Sequence, residues 1–263
     1  MTLLSPVVAR GPLAGVNPVA KLGAGLLIAA PLILSVDWVS AVTALILEIP
    51  LMAMAGLGWR MFWLRTAPVW IAAPLTGVTI TLYGEASGQV HFQWLFMHVS
   101  DGSLSLAVAS TFRILAIALP GVALFATVDP TDLADGLSQR AKLPSRFVLG
   151  ALGGLRLVGL LIDDWRELEV ARRARGVADT GRIRRLGGMA FALIVLAIRR
   201  GSTLATSMEA RGFGARTART WARTSPWGWR EWLLLAAGAA ISATAVAVAV
   251  ATGSWNLILG GQA

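Results

Sequence analysis

The 263-residue sequence predicts an all-α, polytopic membrane protein, and three observations carry that expectation. The composition is 56% hydrophobic and 14% charged with a mean hydropathy of +0.68, outside the range of soluble globular chains. Apolar runs sufficient for about five membrane helices alternate with short polar breaks. Charge is unevenly placed: residues 128–231 hold 18 of the 23 Lys and Arg and 10 of the 14 Asp and Glu, so this block carries +8 of the net +9. A basic block joined to apolar spans is the pattern of a cytoplasmic region. Nucleic acid is not an expected partner, because no recognised fold or aromatic-basic motif accompanies the charge. The absence of cysteine excludes disulfides, Cys-ligated metals and thiol nucleophiles.

Residues 1–127 read as an N-terminal membrane domain with spans at about 20–36, 38–57, 66–83 and 104–127. The first two form a tight pair broken at Asp37. The first contains Pro31, and the second contains Glu48 and Pro50; neighbouring helices can take up the carbonyls that such prolines free. Arg10, Lys21 and the apolar run 22–36 imitate a secretory signal. Past Asp37, however, the chain runs directly into another apolar stretch, so a span is expected. Gly84 to Ser103 lacks Lys and Arg and holds Glu85, Asp101, both histidines, Phe92, Trp94 and Phe96, so it is expected to face outward. Arg10, Lys21, Arg60 and Arg65 fall on the opposite side, which predicts a cytoplasmic N-terminus.

Residues 128–231 read as a helical, basic coupling region. Asp129-Pro130-Thr131-Asp132-Leu133-Ala134-Asp135 has the order of a cap and a first helical turn, with acids at the positive end of the dipole. Lys142-Leu143-Pro144-Ser145 ends that helix and starts another. Its apolar stretch 147–162 is interrupted by Gly150, Gly153, Gly154 and Arg156; it reads as packed in protein or along the interface, with a span still open. From Leu161 to Arg175 the apolar positions Leu161, Trp165, Leu168 and Ala171 keep the helical period among charged residues, which predicts an amphipathic helix. A second long helix is expected from about Gly188 to Arg211. Arg216, Arg219, Arg223 and Arg230 then lead to the C-terminal domain 232–263, with a span over 232–251, interfacial Trp227, Trp229 and Trp232, and an external C-terminus.

The most informative motif is a tripeptide that occurs twice, Ala174-Arg175-Gly176 and Ala210-Arg211-Gly212, 36 positions apart. One copy has an ordinary explanation: glycine takes the left-handed helix end and arginine complements the dipole. Two copies in one basic block, each closing a long helix, with Val177 or Phe213 following, point instead to a pair of docking tips. Arginine is suited to that task because its planar fork pairs bidentately with a partner's carboxylate, which lysine cannot reproduce.

Arg113 lies about ten residues into the fourth span, roughly 15 Å from its start, and so near mid-membrane. It is either a functional intramembrane charge or a structural arginine satisfied by helix carbonyls or a carboxylate such as Glu48. His91 and His98, seven residues apart, fit one helix face, but two imidazoles make a poor metal site and read as surface residues. Asp163, Asp164 and Glu167 read as a solvated helix face rather than a magnesium cluster. Neither a metal site nor catalytic residues are expected.

With these residues in view, the chain resembles the transmembrane T component of energy-coupling factor transporters, ATP-driven importers of vitamins and of cobalt or nickel. The resemblance covers most of the chain. It includes Asn17-Pro18-Val19-Ala20-Lys21-Leu22, where the family usually has Asp-Pro-x-x-Lys-Leu, and the outer segment ending in Gly102-Ser103-Leu104. It continues through Arg113 and Val128-Asp129-Pro130-Thr131-Asp132-Leu133, where Thr-Ser-Pro-Glu-Asp-Leu is usual. The two Ala-Arg-Gly signatures are its most specific part. Asn17 and Asp129 depart from the family pattern; the signatures do not.

The resemblance implies that Arg175 and Arg211 end two coupling helices that dock on two ATP-binding cassette subunits, with Ala174, Gly176, Ala210 and Gly212 shaping the tips. It further implies a membrane substrate-binding S subunit as partner, residence in a prokaryotic plasma membrane, and no cofactor of the chain's own. ATP and magnesium would be bound by the partner ATPases. Consistent with a non-enzymatic chain, no Gly-x-x-x-x-Gly-Lys-Ser/Thr sequence occurs.

Two other readings fit the residues less well. A conventional ABC importer permease carries Glu-Ala-Ala, a glycine six residues after the Glu and a distal Ile-x-Leu-Pro. Glu209-Ala210 begins that way, but position 211 is Arg and position 215 is Ala. A polytopic membrane enzyme would need converging acid, base or metal groups, whereas the cytoplasmic acids are scattered.

Overall fold

Long apolar stretches flanked by turn residues fold as helices because the backbone then satisfies its own polar groups without water. The computed structural model describes residues 11–84, 87–94, 97–176, 181–215 and 220–256. Arg10, Glu85, Phe96, Val177, Arg216 and Arg219 lie outside the described residues, as do the side chains of Phe92, Trp94 and His98. In chain order the elements are α1 (Pro18–Leu34), α2 (Trp38–Met54), α3 (Trp59–Tyr83), β1 (Val90–Trp94) and β2 (Met97–Ser100). There follow α4 (Asp101–Phe125), α5 (Pro130–Gln139), α6 (Ser145–Ala174), α7 (Arg182–Ala210) and α8 (Trp229–Ala251). The protein is an all-α membrane protein with one short antiparallel hairpin, β1–β2, in the segment before α4.

Five described helices are long and apolar enough to cross a membrane: α3, α4, α6, α7 and α8. Only three of these coincide with the expected spans. The first two expected spans became α1 and α2, 17 residues each, or roughly 26 Å at 1.5 Å per residue against a hydrocarbon core of about 30 Å. Such short apolar helices are accommodated by thinning of the bilayer or snorkelling of flanking residues. The stretch 147–162 and the amphipathic stretch after it form one unbroken 30-residue helix, α6, because the glycines carry no helix-stopping geometry. Helix α7 starts at Arg182, earlier than the expected Gly188.

The chain divides into two compact units, one comprising the residues up to Leu133 with Ser225 onward, the other Ala134–Thr224. In the first, α3 packs on α4, α1 on α8, and α2 on both α4 and α8. Small residues let these backbones approach, as is usual where lipid rather than water is the solvent. A Cβ on Gly238 would sit 3.1 Å from the Ala24 Cα, and Gly77 leaves no room for a side chain beside Thr111. The core around them joins Ala20, Ala24 and Ile28 of α1 to Ala41 and Ala44 of α2, Ala116 of α4 and Leu234 and Ala245 of α8.

Polar contacts lock the helix ends. The Asn17 side chain caps α1 through the Val19 N–H at 3.0 Å, and its amide donates to Ser225 Oγ at 2.6 Å and the Pro226 carbonyl at 2.8 Å. The Asn17 and Gly228 N–H groups both donate to the Glu231 carboxylate, at 3.1 and 2.7 Å, which ties the start of α1 to the start of α8. At the C-terminal end of α4, Lys21 Nζ donates to Thr127 Oγ1 at 2.9 Å and Arg65 to the Ala126 carbonyl at 3.2 Å. Cations here complement the negative end of the helix. At its other end, Ser100 and Ser103 form reciprocal caps that start α4 immediately after β2.

Candidate docking site

The two tripeptides close the two longest helices in the same backbone geometry. Ala174 is the last residue of α6, and Arg175 follows at φ −86°, ψ 2°; Ala210 is the last residue of α7, and Arg211 follows at φ −87°, ψ 9°. Gly176 and Gly212 take φ +69° and +78°, the left-handed conformation that glycine adopts without a steric penalty. The Gly176 N–H donates to the Arg173 carbonyl at 3.0 Å and the Gly212 N–H to the Glu209 carbonyl at 2.9 Å. At the second tip the Phe213 N–H also reaches the Met208 carbonyl at 2.9 Å, completing a Schellman ending.

That geometry leaves arginine at the very end of each helix. Ala174, Arg175, Gly176, Ala210, Arg211 and Gly212 are all exposed. Neither Arg175 nor Arg211 has an ion pair among the described residues. Each tip therefore offers a solvated guanidinium beside a small alanine and a turn that leads the chain away.

Helices α6 and α7 are antiparallel. Asp164 on α6 pairs with Arg200 on α7 at 2.8 Å, and Gly153 faces Leu204. Toward the other end, Arg172 lies over Gly188, where a Cβ would come within 2.9 Å of its guanidinium. Antiparallel packing puts the C-terminus of α6 at one end of the pair and the C-terminus of α7 at the other. Arg211 shares a cavity with Arg146, and 29 residues of helix then separate Arg146 from Arg175. The two tips thus stand on the order of 40 Å apart at 1.5 Å per residue.

Three sequence expectations change. Arg113 donates to the Ile33 carbonyl in the last turn of α1, with Asp37 within electrostatic reach; of the two expected kinds of partner it has the helix carbonyl and not Glu48. Both Glu48 carboxylate oxygens are buried, without a hydrogen-bond partner among the described residues. Since Ile33 and Asp37 flank the junction of α1 and α2, the Arg113 guanidinium reaches the end of these short helices, although its backbone lies midway along α4. His91 and His98 share no helix face: they lie on β1 and β2, and His91 contacts Asp101 at 2.6 Å.

The third change concerns the acids of α6. Asp163 pairs with Arg166 on the exposed face, but Asp164 is buried and paired across to α7, so it is not part of a solvated surface. The helical period carried that signal, because Asp164 falls on the face of Leu161 and Leu168. Among the described residues no group of three potential ligands is placed to hold a metal ion.

The sequence matches the model of a family described as cobalt transport protein (CbiQ) over residues 10–221. Curated relatives include the energy-coupling factor transporter transmembrane protein EcfT of Limosilactobacillus fermentum, 30% identical over 70% of this chain and 74% of its own. The protein of the same name from Brevibacillus brevis is 27% identical over 72% and 73% of the two chains. That of Listeria innocua is 24% identical over 86% and 90%. The multi-pass architecture, the paired arginine tips and a match spanning most of the length agree, and the chain belongs to the CbiQ family as a transmembrane T component of the energy-coupling factor type.

Proposed function

We propose that this chain transmits ATP-driven movement from two ATP-binding cassette subunits to a membrane-embedded S subunit that binds a vitamin or a transition metal. Arg175 and Arg211 each dock on one ATPase subunit, with Ala174, Gly176, Ala210 and Gly212 keeping the tips narrow. The observation that carries this reading is the placement of two equivalent, unpaired arginine tips at opposite ends of one antiparallel helix pair. A domain of about 250 residues has a radius of gyration near 18 Å and so a diameter of about 45 Å. Two such domains side by side have centres separated by a distance comparable to that between the tips, whereas one domain does not reach both with its centre.

In this reading α1–α4 and α8 are membrane helices and the basic segment 128–231 forms the coupling region, cytoplasmic and along the membrane interface. The N-terminus is cytoplasmic and the C-terminus external, in the plasma membrane of a prokaryote. The chain is not an enzyme; ATP and magnesium belong to the partners. Opening and closing of the ATPase pair changes the separation of the docking sites. The α6–α7 pair, held together by Asp164–Arg200, passes that displacement on as a unit.

Replacing both arginines, Arg175→Ala with Arg211→Ala, tests this. Truncating one partner of a buried charge pair costs about 2–5 kcal/mol. Loss of uptake and of ATPase co-purification, with normal membrane insertion, is expected. Normal transport by the double variant would refute the docking role.

A further inference from the structure

Within the second unit, the start of α6 and the end of α7 enclose an open cavity of about 1030 Å³ whose lining runs beyond the Arg211 tip to Arg146 and Arg156. Three arginines line it, Arg146, Arg156 and Arg211, and no carboxylate does. None of the three has an ion pair among the described residues. The rest of the lining is largely aliphatic, including Leu152, Leu204 and Met208. The Arg146 guanidinium sets its Nε/Nη2 edge against Gly214, where a Cβ would fall 2.7 Å from Nη2 and 3.3 Å from Cζ. Gly214 has φ +90°, so backbone conformation and close approach both require glycine there.

We infer that this cavity is a binding site for an anionic phospholipid of the surrounding bilayer. Unpaired arginines beside an aliphatic wall match a molecule that joins a phosphodiester to hydrocarbon. Arg146 and Arg156 hold the phosphate, with Arg211 at the rim, and the acyl chains lie along Leu152, Leu204 and Met208. Both walls belong to apolar helices: the most apolar stretches of α6 and α7 have mean hydropathies of 1.6 and 1.4 and bury almost none of their surface within the protein. Exposed Leu155, Val158 and Leu160 continue the aliphatic surface along α6 from the cavity. Basic pockets between helices of membrane proteins recognise acidic lipid headgroups by the same combination. The volume exceeds what a bare phosphate ion needs and suits a headgroup with the upper part of its chains.

The test uses the intact transporter complex, purified in a neutral detergent and titrated with phosphatidylglycerol or phosphatidylcholine of identical chains, with bound lipid counted by native mass spectrometry. Phosphatidylglycerol is expected to bind in preference, and glycerol 3-phosphate, which lacks the chains, is not expected to bind. Arg146→Ala with Arg156→Ala is expected to weaken phosphatidylglycerol binding about 30-fold, and Gly214→Ala to weaken it less by displacing Arg146. The Lys double variant is expected to retain part of the binding. Equal retention of the two lipids, or unchanged binding by the Ala double variant, would overturn the inference. So would loss of the ATPase subunits from that variant with lipid retention intact, since the cavity would then be a protein contact. Because Arg175 and Arg211 are untouched in this variant, failure here leaves the docking role standing, and Arg175→Ala alone, which lies outside the cavity, tests docking without disturbing this site.

Discussion

The two units of the chain solve opposite problems. The first is the more closed: in its helices α3, α4 and α8, 17%, 39% and 28% of the most apolar stretch is buried inside the protein, and polar ends such as Asn17, Lys21 and Glu231 find partners within the unit. In the second unit the corresponding stretches of α6 and α7 are only 6% buried, and Arg175 and Arg211 at their C-terminal ends have no ion pair among the described residues. Large apolar helix faces and solvated guanidinium groups left open together mark surfaces that other molecules cover. A self-sufficient anchor and an unsaturated lever therefore share one chain, and substitutions in the two should differ in what they damage.

The largest effect on the chain itself is expected in the bundle. Gly238→Val forces side-chain atoms into the α1–α8 seam at Ala24 and should cost about 1–3 kcal/mol, read as a lower unfolding midpoint of the purified chain in detergent. Asp164→Ala removes the link between α6 and α7 and strands the partly buried Arg200. A loss of about 2 kcal/mol is expected, seen as faster amide exchange confined to those two helices. Exchange that rises equally in α1 and α8 would mean that the two units do not unfold separately.

Asn17→Ala deletes the α1 cap and two hydrogen bonds to Ser225 and Pro226, for an expected loss of about 1–2 kcal/mol. Asn17→Asp tests the same site differently. A carboxylate in place of the amide cannot donate to Ser225 or Pro226 and would face Glu231, so it should be less stable than the natural asparagine. The smallest effect belongs to the tips: Gly212→Ala strains a left-handed residue by about 1 kcal/mol. It should reduce transport more than it reduces the stability of the chain, the reverse of Gly238→Val.

How much of this was legible beforehand follows the same division. Hydropathy located every helix of the bundle, because lipid-facing helices are apolar along their whole length. It gave the first span its 17 residues but set it two positions late and ran the second three residues past Met54, since Pro31 and Pro50 are tolerated inside them and the ends are fixed by Asn17, Asp37 and the contact of Val36 with Asn256. The hairpin before α4 went unseen as well: its alternation is short, and its pairing is broken by an irregularity between Val90 and Phe92.

At the candidate site, the helix endings were readable because Ala-Arg-Gly encodes a local geometry. Their placement at opposite ends of one pair was not, for it depends on contacts such as Asp164–Arg200 and Gly188–Arg172 between distant positions. Arg113 shows the same limit from the other side. Counting along α4 puts its backbone near mid-membrane, but the end of α1 that its guanidinium reaches is set by tertiary packing.

Whether the two tips engage two separate ATPase subunits can be measured directly, since the chain contains no cysteine to interfere. With Ala174→Cys and Ala210→Cys introduced together into the assembled transporter, a short bifunctional crosslinker should join one copy of this chain to two ATPase subunits at once. Each single cysteine should capture one. Capture of a single subunit by the double variant, or of the S subunit in place of an ATPase, would contradict the two-tip docking role.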